Sequence, residues 1–192
     1  MVSATKRAIC RAVFIGMVLL LIYIFPAVAK DAVINEIEVN NIDHSLLLYF
    51  SVDNCFTKDM KKAIDSGINT TFSFFIKAYE TRDFWWDRKI ADMKISHSVQ
   101  YDSLKKVYMV KISEMDNRTT QVQDFDDVKR LMSRISGLRV AELQNLQKGE
   151  RYRVCMMAEL DKIRLPFYLH NVFFFLSLWD FETDWYTVDF VY

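Results

Sequence analysis

The sequence predicts an α+β fold, a mainly antiparallel β-sheet or sandwich of about seven strands with two or three flanking helices. Three observations predict it. First, between Thr70 and Ile112 apolar and polar residues alternate: Phe72, Phe74, Ile76 and Ala78 share one face, with Thr71, Ser73 and Lys77 on the other. Second, the same period of two recurs in Leu46–Val52 and in Glu150–Leu160. A period of two over such lengths marks strands with one buried face. Third, helical spacing stands out in only two places, Lys58–Ser66 and Asp124–Gly137. A β-sandwich with helices at its flank is the first arrangement these elements suggest. A curved sheet filled by helices is the second.

The N-terminus comes before any of these elements and reads differently. Lys6, Arg7 and Arg11 form a basic region, Ala12–Phe25 is an uncharged apolar run, and Pro26 breaks it. Ala27-Val28-Ala29 supplies the small residues of a signal-peptidase site. Residues 1–29 therefore read as a signal peptide cleaved after Ala29, leaving residues 30–192 as a single β-rich globular domain. The alternative is an uncleaved anchor, since Ala12–Ala29 is just long enough to span a bilayer. The short apolar core and the well-formed cleavage site favour cleavage. Either route predicts export to the periplasm, with inner-membrane anchoring in the second case.

Composition narrows the function classes. Hydrophobic residues make up 52% of the 192, and there are only four Gly and two Pro, so the chain is neither disordered nor of low complexity. The 25 basic and 25 acidic residues balance. Cleavage would remove three basic groups and no acid, leaving a net charge of about −3. Neither value makes an electrostatic case for nucleic acid or an anionic membrane surface.

Taken in order, Val33–Val39 is the first strand, with Val33, Ile37 and Val39 on one face and Ile34, Glu36 and Glu38 on the other. Asn40–Asp43 has turn chemistry. Leu46–Val52 returns, pointing Leu46, Leu48, Phe50 and Val52 one way. Thr57 caps a short helix carrying Met60, Ala63 and Ile64 on one side, and Gly67 stops it. The Thr70–Ile112 block then gives three strands. Its first connection holds Phe84-Trp85-Trp86, and its second is the turn Asp102–Lys105. Glu114–Gln123 is polar and reads as a loop. Asp124 caps the second helix, whose stripe is Val128, Leu131, Met132 and Ile135, and Gly137 ends it. Leu138–Leu143 is a weak strand or connector. Glu150–Leu160 points Tyr152, Val154, Met156, Ala158 and Leu160 inward. Phe167–Trp179 is apolar nearly all round, so periodicity cannot separate helix from strand there, and it is too short to span a bilayer; Pro166 favours a helix start after it, passing into extended chain before Trp179. Asp184–Phe190 is the last strand.

Several of these stretches together resemble the exported bacterial proteins grouped as domain-of-unknown-function family 4390. They are Ala63-Ile64-Asp65-Ser66-Gly67-Ile68 leading into Thr71-Phe72-Ser73-Phe74, then Trp85-Trp86-Asp87-Arg88-Lys89. Tyr101-Asp102-Ser103-Leu104 before Tyr108, and Asp180 to Trp185-Tyr186, complete the set. The resemblance covers most of the chain after the leader. It implies a one-domain envelope protein of a Gram-negative bacterium. The family has no established activity, so it supplies no catalytic residue.

The search for chemistry finds little. No nucleophile elbow, phosphate-cradling loop, H-E-x-x-H or C-x-x-C occurs. His44, His97 and His170 are scattered, and His97 falls on the apolar face of its strand, which suits a satisfied core or edge histidine better than a metal ligand. Asp126-Asp127 belongs to a helix start, and Asp180 with Asp184 flanks turns. No catalytic residue, metal or cofactor is expected. Cys55 and Cys155 permit a disulfide in an oxidising compartment; two separate thiols are the alternative.

Two candidate binding sites remain. Arg82, Trp85, Trp86, Asp87 and Arg88 cluster at a strand connection. They form either a recognition surface, since Trp and Arg dominate binding hot spots, or rim packing with one indole buried. Phe167, Val172, Phe173, Leu176 and Trp179 form either plain core or the lining of an apolar or lipid pocket. The expected function is a non-enzymatic periplasmic binding or interaction module that meets an envelope or inner-membrane protein. An apolar-ligand or lipid binder and an envelope enzyme are the rivals. Membrane contact is expected only through the N-terminal segment, if uncleaved.

Overall fold

In a computed structural model of the chain, described for residues 31–116, 118–161 and 181–192, two antiparallel sheets face each other across one hydrophobic core. The smaller sheet has the order β1-β2-β7, and the larger has β6-β5-β4-β3-β8-β9. The strands are β1 (Val33–Ile42), β2 (Ser45–Asp53), β3 (Thr70–Glu80), β4 (Arg88–Asp102), β5 (Val107–Ile112), β6 (Thr119–Val122), β7 (Arg134–Glu142), β8 (Arg151–Leu160) and β9 (Tyr186–Val191). Two α-helices join them, α1 (Lys58–Asp65) and α2 (Phe125–Ser133). The fold is α+β and sandwich-like.

The alternation read from sequence sets the core. Leu46, Leu48, Phe50 and Val52 of β2 meet Phe72, Phe74 and Ile76 of β3, and all seven are buried. Phe50 and Phe74 make an edge-to-face contact across the two sheets, with ring centroids 5.9 Å apart. From β8, Tyr152, Val154, Met156, Ala158 and Leu160 close the same layer. β3 and β4 lie at the centre of the larger sheet, with β5 and β8 on their flanks.

α1 starts where Thr57 Oγ1 accepts from the Met60 N–H at 3.1 Å, and buries Met60, Ala63 and Ile64. α2 starts where Asp124 Oδ1 accepts from the Asp126 N–H at 2.9 Å. It buries Phe125, Val128 and Met132. His97 of β4 is fully buried beside Phe74, with Nδ1 3.1 Å from the Met132 carbonyl and Nε2 2.8 Å from Glu114 Oε1. It is a satisfied core histidine that ties β4 to the end of α2.

Three local expectations are corrected. In β1 the inward residue is Ile34, not Val33. A bulge between Asn35 and Glu38, with Glu36 at φ 52°, then shifts the parity so that Ile37 and Val39 also pack on the core. The polar stretch Glu114–Gln123 is not all loop, because Thr119–Val122 forms the edge strand β6 against β5. Its short, exposed pattern carries no hydrophobic signal.

The second helix does not run to Gly137. It ends at Ser133, and the chain turns directly into β7, so Ile135 is buried from a strand opposite Phe50. Gly137 sits inside β7 at φ 74°, where the β2–β7 register shifts, and a Cβ there would come within 3.3 Å of the Tyr49 hydroxyl. Leu138–Leu143, which reads as a weak strand or connector, is a strand, the rest of β7 up to Glu142.

Of the two alternatives for the cysteines, the fold gives the separate thiols and not the disulfide. Cys55 and Cys155 are both free thiols. Cys55 is buried after β2, its Sγ donating to the Val52 carbonyl, and burial pushes its pKa up to about 12. Cys155 belongs to the opposite, outward parity of β8, near Thr187. The sheet therefore lies between the two sulfurs.

Candidate functional site

The β3–β4 connection is the most distinctive surface among the described residues. β3 points Phe72, Phe74, Ile76 and Ala78 into the core, and the next position of that parity is Glu80. Its side chain stays buried at the mouth of the sandwich and needs partners there. Two arginines supply them. Arg82 Nε lies 2.9 Å from Glu80 Oε1, and Arg88 donates to Oε2 from Nε at 2.9 Å and from its terminal nitrogen. The Arg88 hydrogen bond, then that from Arg82, holds the Glu80 carboxyl below the usual carboxylate range against the opposing effect of burial. The pair straddles the connection, so Glu80 clamps both ends of the hairpin tip.

Beyond this clamp the tip runs Thr81–Asp87. Asp83 pairs with Arg151 at the start of β8, and the Asp87 carboxylate accepts the Arg82 N–H at 3.3 Å. Thr81 is tied to the Arg151 carbonyl through both its N–H and its hydroxyl. These contacts hold the backbone of the tip against β8 and leave the rings outside. Phe84 is 97% exposed, Trp85 74% and Trp86 86%. Rim packing with one indole buried, the alternative drawn from the sequence, is not what the tip does. Phe84 completes an apex that the sequence reading had credited to the indoles.

Two open grooves adjoin at the base of the apex and share Thr81, Arg82, Asp83 and Arg151. One, of about 320 Å³, lies between Arg82, Asp87, Arg151, Arg153 and Asp189. Arg153 forks onto both oxygens of Asp189 at 2.7 and 3.1 Å, which holds that carboxyl below its ordinary value. The other, of about 460 Å³, is bordered by Phe84, Trp85, Gly149, Glu150 and Arg151. Neither the β8 arginines nor Glu150 were singled out from sequence. The inter-strand register that brings Arg151 and Arg153 to the tip is a long-range property with no local signal.

The other candidates contribute less. Phe167, Val172, Phe173, Leu176 and Trp179 lie outside the described residues, as do residues 1–30 and His170. Asp126 and Asp127 pair with Lys129 and Arg130 at the start of α2 and face solvent. Asp184 is exposed, and Asp180 lies outside the described residues. No group of three His, Cys, Asp or Glu able to hold a metal occurs among the described residues. No helix among them is long and apolar enough to cross a membrane.

Residues 29–189 match the family described as "Domain of unknown function (DUF4390)". The chain belongs to the DUF4390 family. No curated protein and no solved structure matches it. DUF4390 membership covers both sheets and the tip, so the site described above lies inside the family domain.

Proposed function

We propose that this DUF4390 protein is an exported, non-enzymatic interaction module of the cell envelope, and that the β3–β4 hairpin tip is its contact surface. The observation that carries this reading is the apex itself. Three consecutive aromatic rings stand in solvent on a backbone that ion pairs and hydrogen bonds hold in place. Exposing three rings gains the fold nothing, because each leaves a large apolar area in water. Trp and Arg set over a fixed scaffold are the residues that dominate binding hot spots. Export is supported by the basic region, apolar run and small-residue cleavage site of residues 1–29. The partner on this reading is an envelope or inner-membrane protein.

The experiment is in-cell photocrosslinking from a reactive residue placed at Phe84 in the full chain. A discrete adduct that disappears in Trp85→Ala and Trp86→Ala supports the reading. Adducts that persist unchanged in both variants refute it.

A further inference from the structure

Cations and acids line the two grooves in equal number, but their pairing is uneven in a way that names the chemistry of the partner. All four arginines of the tip region are already committed: Arg82 and Arg88 to Glu80, Arg151 to Asp83, and Arg153 to Asp189. Two carboxylates are not. Among the described residues no cation forms an ion pair with Asp87, which accepts the Arg82 backbone N–H and lies in the groove of Arg153 without pairing with it, and none pairs with Glu150. One lines each groove, Asp87 in the first and Glu150 in the second together with Phe84 and Trp85. No described lysine lines either groove.

We infer that the tip receives a cationic segment of a partner protein, an extended stretch bearing arginine or lysine. Its charged groups would lie over the Trp85 and Trp86 faces and against Asp87 and Glu150. This rests on the docking reading above and adds the identity of the occupant. The negative face of an indole attracts a guanidinium or ammonium, most strongly where water is partly displaced. A carboxylate in each of the two adjoining grooves supplies the complementary charge. An acidic segment would meet two carboxylates that no described cation pairs, and only arginines that must first leave their partners. A neutral lipid interface would accept the rings but would make no use of those two carboxylates.

The same chemistry already operates elsewhere among the described residues, where lysines lie over Phe75, Phe125 and Trp185. Lys77 of β3 places its ammonium 4.6 Å from the Trp185 ring centroid on the outer face of the larger sheet. There the cation is internal; at the tip the rings and acids are present and the cation is not supplied by any described residue.

The test titrates the full chain, in mild detergent, with an N-acetylated, C-amidated Gly-Arg repeat peptide, followed by tryptophan fluorescence. Matched Gly-Glu and Gly-Ser peptides and phosphatidylcholine vesicles are the comparisons. The expected result is saturable binding of the Gly-Arg peptide alone. It should weaken by about tenfold in the Asp87→Asn, Glu150→Gln double variant, and again when salt rises from about 0.05 M to about 0.5 M. Trp85→Ala should remove it, while Glu38→Gln, an exposed acid on the smaller sheet, should change nothing. No binding of the Gly-Arg peptide, equal binding of all three peptides, or binding to vesicles that the acid variants leave unchanged would each overturn the inference. In-cell crosslinks from position 84 separate the two levels. Crosslinks that survive the Asp87 and Glu150 changes leave the docking surface standing and remove only its cationic occupant. Crosslinks that never depend on the tryptophans remove both.

Discussion

The two ends of β4 are built to different standards. At its C-terminal end the turn to β5 is closed by local chemistry alone. Asp102 Oδ1 accepts the N–H groups of Leu104 and Lys105, both at 3.0 Å, and Lys106 takes the left-handed conformation at φ 55°. One apolar residue, Leu104, is left in solvent, and nothing further surrounds it. At its N-terminal end the connection to β3 is seven residues long and carries three exposed rings. It is held by a buried carboxylate, two arginines from its own flanks and a third from β8. A strand reversal does not require any of that. The excess of scaffold over what the turn needs is the physical argument that the tip is used.

The largest effect that would break this contrast is at Glu80. Removing a buried carboxylate strands Arg82 and Arg88, although both arginines are partly exposed and keep much of their hydration. Glu80→Ala should lower stability by about 2–3 kcal/mol, read as a shift in the urea midpoint at constant slope. An effect under about 0.5 kcal/mol would place the clamp among ordinary surface pairs.

The same group gives a pH signature. The folded Glu80 carboxyl lies below its ordinary 4.5, chiefly through the Arg88 hydrogen bond. Its contribution is therefore fully present above the unfolded value and is lost as pH falls through the depressed one. The stability gap between the parent and Glu80→Gln should be constant from pH 7 to about 5, and should narrow steadily below about 4. The exposed pairs of Asp92 and Asp126 are depressed as well, but they are common to both proteins and cancel in the difference. A gap that widens in acid would contradict the ion-pair geometry.

Much of this contrast was legible in the sequence, and the part that was not has a common cause. Alternation placed Phe72, Phe74 and Ile76 in the core, and turn and cap chemistry placed Asp102, Thr57 and Asp124, because each is decided within a few residues. The tip was found from its tryptophans and arginines. That the rings stand outside was not legible, because parity does not extend through a connection. Ile34 was missed because a bulge reverses parity midway along β1, and β6 because an edge strand of four polar residues has no buried face to advertise. Gly137 read as a helix stop because its positive φ serves a β-bulge instead, and the two roles share one residue type. Arg151, Arg153 and Glu150 reach the tip only through the pairing of β3 with β8, which no local pattern encodes.

At the opposite end of β4 a smaller effect sharpens the comparison. Asp102→Ala removes one acceptor from two turn N–H groups that water can then reach, so the loss should be about 1 kcal/mol. Thermal unfolding would read it as a drop of a few degrees, without any change in crosslinking from position 84.

The smallest expected effect on stability is the most informative. Trp85 and Trp86 make the tip apolar but are 74% and 86% exposed, so truncation removes little buried area and leaves no cavity. The double variant Trp85→Ala, Trp86→Ala should unfold within about 0.5 kcal/mol of the parent. Leu104→Ala, at a residue 93% exposed, should be equally silent in stability. The two then part on function. The tryptophan variant should lose the position-84 adduct and the leucine variant should keep it, because only the tip holds its exposed apolar groups on a fixed, ion-paired scaffold. If both variants keep the adduct, the apolar residues at the two ends of β4 are equivalent, and the extra structure around Glu80 serves the hairpin alone.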